Sequence, residues 1–523
     1  MKTRYIYIWL LGLLSVLNTG CEDRLDIPKH GNMGSQEDFY QTDQEAMQAL
    51  ASLYFSWSSN YYNWFMTKNS LADDVWSGGG SRGDNAQMEQ LNEYTFDTDH
   101  PMIASLYSGM YSIIYKANLI IDLMEPDTDV KKRALAEAKF FRAWAHFELV
   151  TLYGTAPIVD HLLTPDEYRQ GNSSPQDTWA FIEKDLTEAI NLNVLPSKNN
   201  VNDKETTIRT TKEVAQAMLG KAYVFQGKYS EAASILDKVI ESGKYDLYPG
   251  AYDKLLHVEA NGSCESMLEV QRRNDPEQAW NWDLLTMTYL MMGWRSDKLF
   301  VTGEAVQTIA SGTYGFMNPR KSLYDAFVER EGTDGYRLNS TLRSYEQLNK
   351  IGVVLQPGAN MVGHEGYFMW KTRALKEDCI YDASYFQALQ YINLRVMRYA
   401  EVLLLAAEAH VQGGDKAKAL SYINRIRSRA KLPDLTTVTL DDVKKEKRLE
   451  LCMECVRFQD LTRWNDAEAV MGQQGKEIPA FSSEGVKFLF KNSAYGFKAK
   501  HKLLPIPRKE LELNPNMKQN ENW

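Results

Sequence analysis

Cysteine is scarce in this chain, which has five cysteines among 523 residues. So low a density excludes a disulfide framework. Beyond residue 21 the sequence also lacks an apolar run of the roughly 20 residues that a bilayer-spanning helix needs. Basic residues do not predominate either, because 59 lysines and arginines against 69 acidic residues leave a net charge of -10. This balance argues against nucleic acid as a ligand and favours neutral ligands, although a local basic patch can still bind an acidic one.

The N-terminus shows the pattern of an export signal. Lys2 and Arg4 precede the apolar run 6–17, and a short stretch, 18–20, stands directly before Cys21. A basic start, a short apolar run and small residues before the cleavage site are typical of a secretory signal. A cysteine at this point indicates a bacterial lipoprotein, so we expect cleavage before Cys21 and membrane anchoring through acyl chains on it. The alternative is an ordinary cleaved signal followed by a chance cysteine.

Two of the remaining cysteines, Cys452 and Cys455, form a CxxC pair in the segment 448–457, whose pattern is helical. A redox CxxC normally opens a helix after a strand, and a zinc site needs two further ligands. Neither context is visible in the sequence. We therefore expect two small, buried helix residues.

Helical periodicity dominates the rest of the chain. Leu219, Gly220 and Tyr223 match the Leu-Gly-x-x-Tyr positions of the tetratricopeptide pattern of about 34 residues. A turn follows at 227–229, and apolar residues recur at spacings of four and three on a second helix that ends near Ser242. Small residues at the crossing let two helices approach closely.

A second unit of the same kind covers 397–431. Further helices are expected at 44–66, 131–152, 178–191 and 441–460. Such units cannot bury their apolar faces alone, so they should stack as one scaffold. Between the helices lie the Gly- and Asp-rich segment 69–100 and much of 261–349; loops of this length are uncommon and usually functional. The sequence thus predicts a mainly α protein: a tetratricopeptide-like helical-repeat scaffold with large irregular loop insertions that carry the function.

Ordered motifs are spread over nearly the whole chain, among them an Arg-x-Glu-Leu…Asp-Leu-x-Arg-Trp pattern near the C-terminus. They lie within 21–28, 137–143, 149–157, 398–404, 448–464 and 504–520. These motifs resemble those of the SusD/RagB family, the outer-membrane nutrient-binding lipoproteins of Gram-negative glycan-degrading bacteria. One departure is Cys455, where the family usually has glycine, and we expect it to alter only local packing.

The resemblance implies a SusD-like α/α superhelix in which the regions 21–260 and 261–523 form one continuous unit behind a signal peptide, 1–20. It also implies a lipoprotein that faces the cell exterior, captures oligosaccharides or polysaccharides and delivers them to a SusC-like, TonB-dependent outer-membrane transporter. Members of the family are not enzymes. The resemblance further implies that the tetratricopeptide-like face supports the transporter interface, so we expect Leu219, Gly220 and Tyr223 to matter for folding rather than for the choice of ligand. No catalytic residue, cofactor or metal ligand set is identified in the sequence. Two other classes stay open: a surface glycosidase, and a tetratricopeptide-type adaptor for peptides or membrane assembly.

Aromatic residues in polar loops are the candidates for a sugar site. The C–H face of a pyranose lies flat on an aromatic ring, while its hydroxyls need polar partners at the rim. Two segments meet this description, and in the relatives the corresponding loops supply glycan-stacking aromatics. The candidate ligand-binding residues are Trp76, Arg82, Asp84, Asn85, Trp280, Trp282, Tyr289 and Trp294. A second cluster, formed by Trp57, Tyr61, Tyr62 and Trp64, has helical spacing and is expected in the core or at the base of the site.

Three patterns that suggest catalysis are weak. Residues 79–83 satisfy a G-x-S-x-G search, but a nucleophile elbow needs a strand before it, and the residues that precede it form at best a poor strand. The adjacent carboxylates Asp73 and Asp74 are interpreted as loop or cap residues, since neighbouring side chains in an extended segment point in opposite directions. The pair His364 and Glu365 lacks the second histidine of a zinc protease helix.

Overall fold

The computed structural model describes residues 39–278, 281–380 and 388–523, so the signal peptide, Cys21 and Trp280 lie outside the described residues. Helices predominate, as predicted. The helices are α1 (Asp43–Ser59), α2 (Tyr61–Ser70), α3 (Ala86–Glu93), α4 (Pro101–Leu123), α5 (Asp129–Tyr153), α6 (Pro175–Asn191), α7 (Lys212–Phe225), α8 (Tyr229–Glu241), α9 (Met287–Met291), α10 (Lys321–Glu331), α11 (Tyr336–Thr341), α12 (Tyr345–Lys350), α13 (Tyr399–Gly413), α14 (Lys416–Arg429), α15 (Leu440–Glu450), α16 (Arg457–Arg463), α17 (Ala467–Met471) and α18 (Arg508–Leu513).

The strands are short. They are β1 (Val75–Gly78), β2 (Ser266–Val270), β3 (Leu299–Val301), β4 (Phe316–Pro319), β5 (Leu342–Ser344), β6 (Val353–Leu355), β7 (Asn360–Val362), β8 (Tyr367–Met369), β9 (Leu394–Arg398), β10 (Glu477–Ser482) and β11 (Gly485–Lys491). All pairings among them are antiparallel: β1 with β4, β2 with β9, β3 with β6, β5 with β8, and a three-stranded sheet in the order β11-β10-β7.

The scaffold is built from helices that pack against their neighbours in the chain, α4 on α5, α5 on α6 and α6 on α7. The units predicted at 212–242 and 397–431 are confirmed as the helix pairs α7–α8 and α13–α14, and they pack against each other through α8 and α13. Gly220 lies where α7 meets α8, and a Cβ at this position would lie 2.5 Å from the Cγ of Leu236. The close approach of the two helices therefore requires glycine.

The helix predicted at 44–66 is interrupted at Asn60, between α1 and α2. The Asn60 amide donates to the Ser56 carbonyl at 2.7 Å, so the side chain takes an acceptor that the helix backbone would otherwise use. The predicted burial of the aromatic cluster is confirmed, since Trp57, Tyr61 and Trp64 are 3%, 5% and 4% exposed.

The helix predicted at 441–460 is wrong as a single element. It ends at Glu450, and a new helix, α16, begins at Arg457. In the turn between them Met453 and Cys455 have φ values of +59° and +66°, a left-handed conformation that an α-helix cannot continue. Cys452 and Cys455 are buried, as predicted, but they lie in this turn rather than in a helix.

Buried charges join β9 to the end of α15 and to the residues just before β2. Arg398, at the end of β9, contacts Glu265, Glu450 and Glu454, with 2.7 Å between its Nε and the Oε2 of Glu454. Glu450, at the end of α15, also accepts a hydrogen bond of 3.2 Å from Arg337. This cluster shows why the motifs around 398 and 448 contain arginine and glutamate at these positions.

Candidate functional site

The two segments selected from the sequence meet on one surface. The Gly-rich loop after β1 lies against the chain that leads into β4, where the Gly79 N–H donates to the Gly315 carbonyl at 2.8 Å. Arg295 follows the second predicted segment, and its Nη1 lies 3.4 Å from the Oδ2 of Asp84. The structure therefore brings the loop 79–85 and the insertion around 294 together.

Glycine is required where the loop leaves β1. Gly79 has a φ of +98°, a conformation that L side chains rarely adopt. A Cβ at Gly79 would also lie 2.5 Å from the ring of Phe316 on β4. The close packing of this loop against the insertion thus depends on the absence of a side chain at Gly79.

Trp76 is not an exposed stacking platform. Its side chain on β1 is buried, with 6% exposed, and its indole N–H donates to the Glu365 carboxylate at 2.8 Å. The Arg320 guanidinium lies 3.6 Å from the centre of the Trp76 ring, a cation–π contact that occupies this face. The expectation of exposure is therefore wrong here, because β1 pairs with β4 and carries the ring inward.

Tyr289 and Trp294 are buried as well, with 3% and 6% exposed. Tyr289 lies on α9 with its ring 6.4 Å from that of Phe65, at the edge of the main core. Trp294 belongs to a smaller core and meets Phe368 edge to face at 6.2 Å. Exposure was expected at both positions and is wrong, since each ring packs beneath its own loop.

Among the candidate aromatics of the second segment that the structure describes, Trp282 is the exposed one, with 52% of its surface accessible. It lies between Asn281 and Asp283, and the Asp283 N–H donates to the Asn281 amide oxygen at 3.0 Å. This turn presents an indole beside amide and carboxylate groups. An exposed aromatic ring with polar groups beside it is the arrangement expected of a sugar contact.

Arg82, Asp84 and Asn85 form a polar rim together with Arg295. The Arg82 side chain, 39% exposed, donates to Glu93 at 2.7 Å. The Asp84 carboxylate accepts from the Gly80 N–H at 2.7 Å, and the Asn85 side chain caps α3 by accepting from the Met88 N–H at 3.1 Å. The rim is therefore held by its own hydrogen bonds while its charged groups stay partly exposed.

A hairpin missed by the sequence reasoning borders this rim. The ring of Phe490 on β11 lies 4.9 Å from the Arg82 guanidinium. On the same strand Val486, Phe488 and Leu489 are 40%, 45% and 61% exposed. The signal available in the sequence was the largely apolar segment 486–490, interrupted by Lys487, directly after the turn that contains Gly485. Its exposure depends on β11 being the edge of its sheet, which the sequence does not reveal.

The cleft beneath the rim is small. It is lined by Gly79, Gly293, Arg295, Lys298 and His364 among others and encloses about 10 Å³, room for roughly one water molecule. Burial lowers the pKa of His364 to about 3, so this histidine is neutral near pH 7. A ligand of sugar size therefore has to lie across the rim rather than within the cleft.

The residues considered for catalysis have other partners. Asp73 and Asp74 lie in the turn before β1, which confirms their interpretation as loop residues, and there Asp73 pairs with Arg457 at 2.8 Å and Asp74 with Arg448 at 2.9 Å. Burial by itself would raise the pKa of Asp73, but Arg457 and Arg448 lower it to about 2. These carboxylates thus anchor the start of β1 to the C-terminal helices.

The G-x-S-x-G segment has a strand before it and a helix after it, β1 and α3, contrary to expectation. Ser81 is exposed, however, and within the described residues its hydroxyl has no hydrogen bond to a histidine or a carboxylate. The described part of the chain also contains no group of three or more His, Cys, Asp or Glu side chains placed to hold a metal ion. In residues 39–278, 281–380 and 388–523, no helix has the length and apolar character needed to cross a membrane.

Two family models match this chain. One, described as the SusD family, matches residues 363–523, and the other, described as starch-binding associating with outer membrane, matches residues 32–224. Together they cover about two thirds of the chain. The chain belongs to the SusD/RagB family.

Curated relatives agree with this assignment. SusD-like protein P2 of Formosa agariphila is 23% identical over 560 residues, which cover 99% of this chain and 99% of that protein. A SusD-like protein of Bacteroides ovatus is 23% identical over 373 residues, which cover 69% of this chain and 65% of that protein.

Solved structures share the fold. A laminarin-binding SusD-like protein is 29% identical, with a TM-score of 0.77, and the match covers 92% of this chain and 99% of that one. Surface glycan-binding protein A from Bacteroides thetaiotaomicron in complex with laminarihexaose is 23% identical, with a TM-score of 0.71 over 92% of this chain and 100% of that one. At that lower identity the likeness shows the fold alone, and the predicted mainly α, tetratricopeptide-like class is confirmed.

Proposed function

We propose that this protein is a surface glycan-binding lipoprotein that captures oligosaccharides and delivers them to a TonB-dependent outer-membrane transporter. The observation that carries the proposal is the likeness, over 92% of the chain and at 29% identity, to a protein named for laminarin binding. The family model described as starch-binding and associating with the outer membrane supports the same class of ligand and the same location.

The proposed contact surface is the rim, formed by Arg82, Asp84, Asn85 and Arg295, together with the exposed Trp282 and the β11 aromatics. Each aromatic ring that stacks on a sugar contributes about 0.5–1.5 kcal/mol beyond area burial. The partly exposed charged groups of the rim offer hydrogen bonds to the hydroxyls at the edge of the sugar. Trp76, Tyr289 and Trp294 are assigned a supporting role, since their burial fixes the loops that carry the exposed groups.

Binding without turnover fits the same surface. The adjacent carboxylates Asp73 and Asp74 are already engaged by Arg457 and Arg448, and the matched structures are named as binding proteins. A glycosidase would require two carboxyl groups about 5–10 Å apart on either side of a bound sugar. Cleavage of a polysaccharide by the purified protein would contradict the proposal.

Affinity electrophoresis in gels that contain laminarin, starch or another neutral polysaccharide tests the binding role. We expect one glycan to retard the protein, and this retardation to be weaker for Trp282→Ala and Arg295→Ala. Tyr168→Ala is the matched control, because Tyr168 is also exposed, at 63%, and lies outside the rim. Absence of retardation by every glycan contradicts glycan binding, and unchanged retardation of both rim variants contradicts the location.

The tetratricopeptide-type adaptor predicts a different site. A groove of about 480 Å³ lies between α6, α7 and α8 and is lined by Leu219, Tyr223 and Ile235 among others. We propose that this face serves the scaffold and contacts to the transporter rather than sugar. Retardation that survives the rim variants but is lost in a folded Tyr223→Ala variant would favour the adaptor class.

Anchoring and delivery have separate tests. Cys21→Ala is expected to release the protein from the membrane fraction, since acyl chains on Cys21 supply the anchor. The tagged protein, extracted from outer membranes with mild detergent, is expected to co-purify with a TonB-dependent transporter that mass spectrometry identifies. Membrane retention of Cys21→Ala contradicts the anchor, and absence of a transporter from the purified material contradicts delivery.

A further inference from the structure

A second cavity, distinct from the rim, lies on the other side of the small core that contains Trp294. It encloses about 980 Å³ and is bounded by the 3₁₀ turn Gly303–Gln307, by residues 349–352 at the end of α12, and by residues from 370 to 377. Pockets that bind small ligands typically enclose roughly 300–1,000 Å³. None of its lining residues also lines the cleft beneath the rim.

The lining is basic in an otherwise acidic protein. It contains five basic side chains, Lys254, Arg343, Lys350, Arg373 and Lys376, and two acidic ones, Glu304 and Glu377. Ion pairs neutralise two of the basic groups: Arg373 pairs with Asp253 at 2.8 Å, and Lys254 pairs with Glu377.

Three cations of this lining remain without a carboxylate partner. Among the described residues, Arg343, Lys350 and Lys376 make no ion pair, and Glu304 is the lining carboxylate that makes none. The cavity therefore carries an excess of positive charge, while the whole chain has a net charge of -10. An excess of this kind attracts anions.

Trp370 positions the arginines. The guanidinium of Arg343 lies 3.7 Å from the centre of the Trp370 ring and that of Arg373 lies 4.3 Å from it. Two like charges on one indole repel each other, and burial together with Arg373 lowers the pKa of Arg343. The only hydrogen bond of the Arg343 guanidinium within the described residues runs from its Nε to the Asn339 carbonyl, at 3.4 Å. Its outer nitrogens are thus available to a ligand.

We propose that this cavity binds the carboxylate or sulfate group of an acidic saccharide through Arg343, with Lys350 and Lys376 at its edge. A planar guanidinium binds such oxyanions through two parallel hydrogen bonds. Exposed Gln307, Thr308 and Asn349 line the same cavity and offer partners for sugar hydroxyls. The saccharide part of this inference rests on the proposed function, whereas the anion part rests on the cavity alone.

Isothermal titration calorimetry of the purified protein tests the inference. The probes are an oligogalacturonate, a sulfated oligosaccharide, the neutral counterpart of each, and inorganic sulfate. At least one acidic oligosaccharide is expected to bind about tenfold or more tightly than its neutral counterpart, with an affinity that falls as salt rises. The two acidic probes distinguish a carboxylate from a sulfate as the recognised group.

Variants locate the binding. Arg343→Ala is expected to bind the acidic oligosaccharide about tenfold or more weakly. Arg343→Lys is expected to lose part of the affinity, since lysine keeps the positive charge but lacks the planar guanidinium that makes two parallel hydrogen bonds. Arg169→Ala, at an exposed arginine outside the cavity, is the matched control and should bind normally. Thermal unfolding of each variant confirms that it is folded.

Several outcomes would overturn the inference. These are the failure of every acidic probe to bind, equal binding of acidic and neutral oligosaccharides, and wild-type affinity in a folded Arg343→Ala variant. Inorganic sulfate that binds as tightly as the sulfated oligosaccharide would overturn the saccharide part. Retardation by a neutral glycan in Arg343→Ala would show that the rim site is intact, so the two proposals fail separately.

Discussion

The helical scaffold and the loop-rich segment between α8 and α13 are held together in different ways. In the scaffold each helix packs against its neighbour in sequence, as α5 does on α6 and α7 on α8. In the loop-rich segment, strands of three to five residues pair across long stretches of chain, as β2 does with β9. Local periodicity is therefore sufficient to specify the helices of the scaffold, whereas the loop-rich segment depends on contacts between residues far apart in the sequence.

The two regions also differ in how deeply their charged side chains are buried. Where the scaffold meets the loops, Arg337, Arg398 and Glu450 are 2% exposed or less at their side chains. At the rim, Arg82 and Asp84 stay 39% and 34% exposed. We therefore expect substitutions at the junction to change stability, and substitutions at the rim to change ligand binding.

The largest effect is expected at the junction. Glu450→Gln leaves Arg398, Arg429 and Arg337 with one buried carboxylate fewer, which should lower the free energy of unfolding by roughly 3–5 kcal/mol. Thermal unfolding checks this. Asp325→Asn, which removes one partner of an exposed pair with Lys321, should change stability by less than about 1 kcal/mol. Similar losses in both variants would show that burial of the junction charges is unimportant.

Acid should loosen the same junction. Burial by itself would raise the pKa of Glu450, but Arg429, Arg398 and Arg337 lower it from 4.5 to about 2. Because the folded pKa lies below the unfolded one, this stabilisation is complete above about pH 4.5 and is lost as the pH falls towards about 2, with a size on the order of 3 kcal/mol. The unfolding midpoint of the wild type should therefore fall more steeply in this range than that of Glu450→Gln. Parallel curves would contradict the assignment.

Within the scaffold, Gly220→Ala should destabilise the protein. The new Cβ would lie 2.5 Å from Leu236, and overpacking of this kind costs about 1–3 kcal/mol, more than the helix propensity of about 1 kcal/mol that alanine adds. In a Leu236→Ala background the penalty should disappear, as a double-mutant cycle of unfolding free energies would show. A Gly220→Ala protein as stable as the wild type would mean that the helices can move apart freely.

The turn at the end of α15 offers a comparison between two buried cysteines. Cys455 has a φ of +66°, whereas Cys452 lies outside the left-handed region. Glycine at position 455 relieves a left-handed backbone penalty of roughly 1–2 kcal/mol, whereas glycine at position 452 relieves none. Cys455→Gly should therefore be more stable than Cys452→Gly by about that amount in chemical denaturation. The reverse order would indicate that the contacts of the Cys455 thiol, with Asn69 at 3.2 Å, outweigh its backbone conformation.

The smallest change in stability is expected at the rim. Trp282 is 52% exposed, so Trp282→Ala should alter the free energy of unfolding by less than about 0.5 kcal/mol while it weakens glycan binding by about 0.5–1.5 kcal/mol. Paired unfolding and binding measurements check this. A large loss of stability would mean that the indole belongs to the core, and the contrast between the two regions would then fail at this residue.

The helical units could be predicted closely because their signals are local. Thr178 to Asn191 was expected to be helical, and α6 covers Pro175–Asn191; the pairs α7–α8 and α13–α14 likewise follow from spacing and turn residues. The break between Glu450 and Arg457 does not follow from the sequence, because an apolar spacing of helical type continues through Met453 and Cys455, whose backbone is left-handed. A residue's φ depends on contacts that periodicity does not encode.

The site could be predicted only in part. The sequence selected the loop 79–85 and the region of Trp282 and Trp294 as two candidate segments, and the structure places Arg295 3.4 Å from Asp84 of the loop. Burial of Trp76 could not be read from the sequence, since it follows from pairing with β4 more than 200 residues later in the chain. The exposed edge of β11 and the basic cavity around Arg343 likewise arise from distant segments.

The sequence by itself determined the family, the helical scaffold and the polar loops that carry the candidate residues, and it predicts an export signal that ends before Cys21. These properties rest on the order and spacing of residues along the chain. The tertiary structure alone decided which aromatics are exposed, which carboxylates are engaged by arginine, and where unpaired positive charge collects. Burial and electrostatics depend on distances between segments far apart in sequence, and only the folded chain sets those distances.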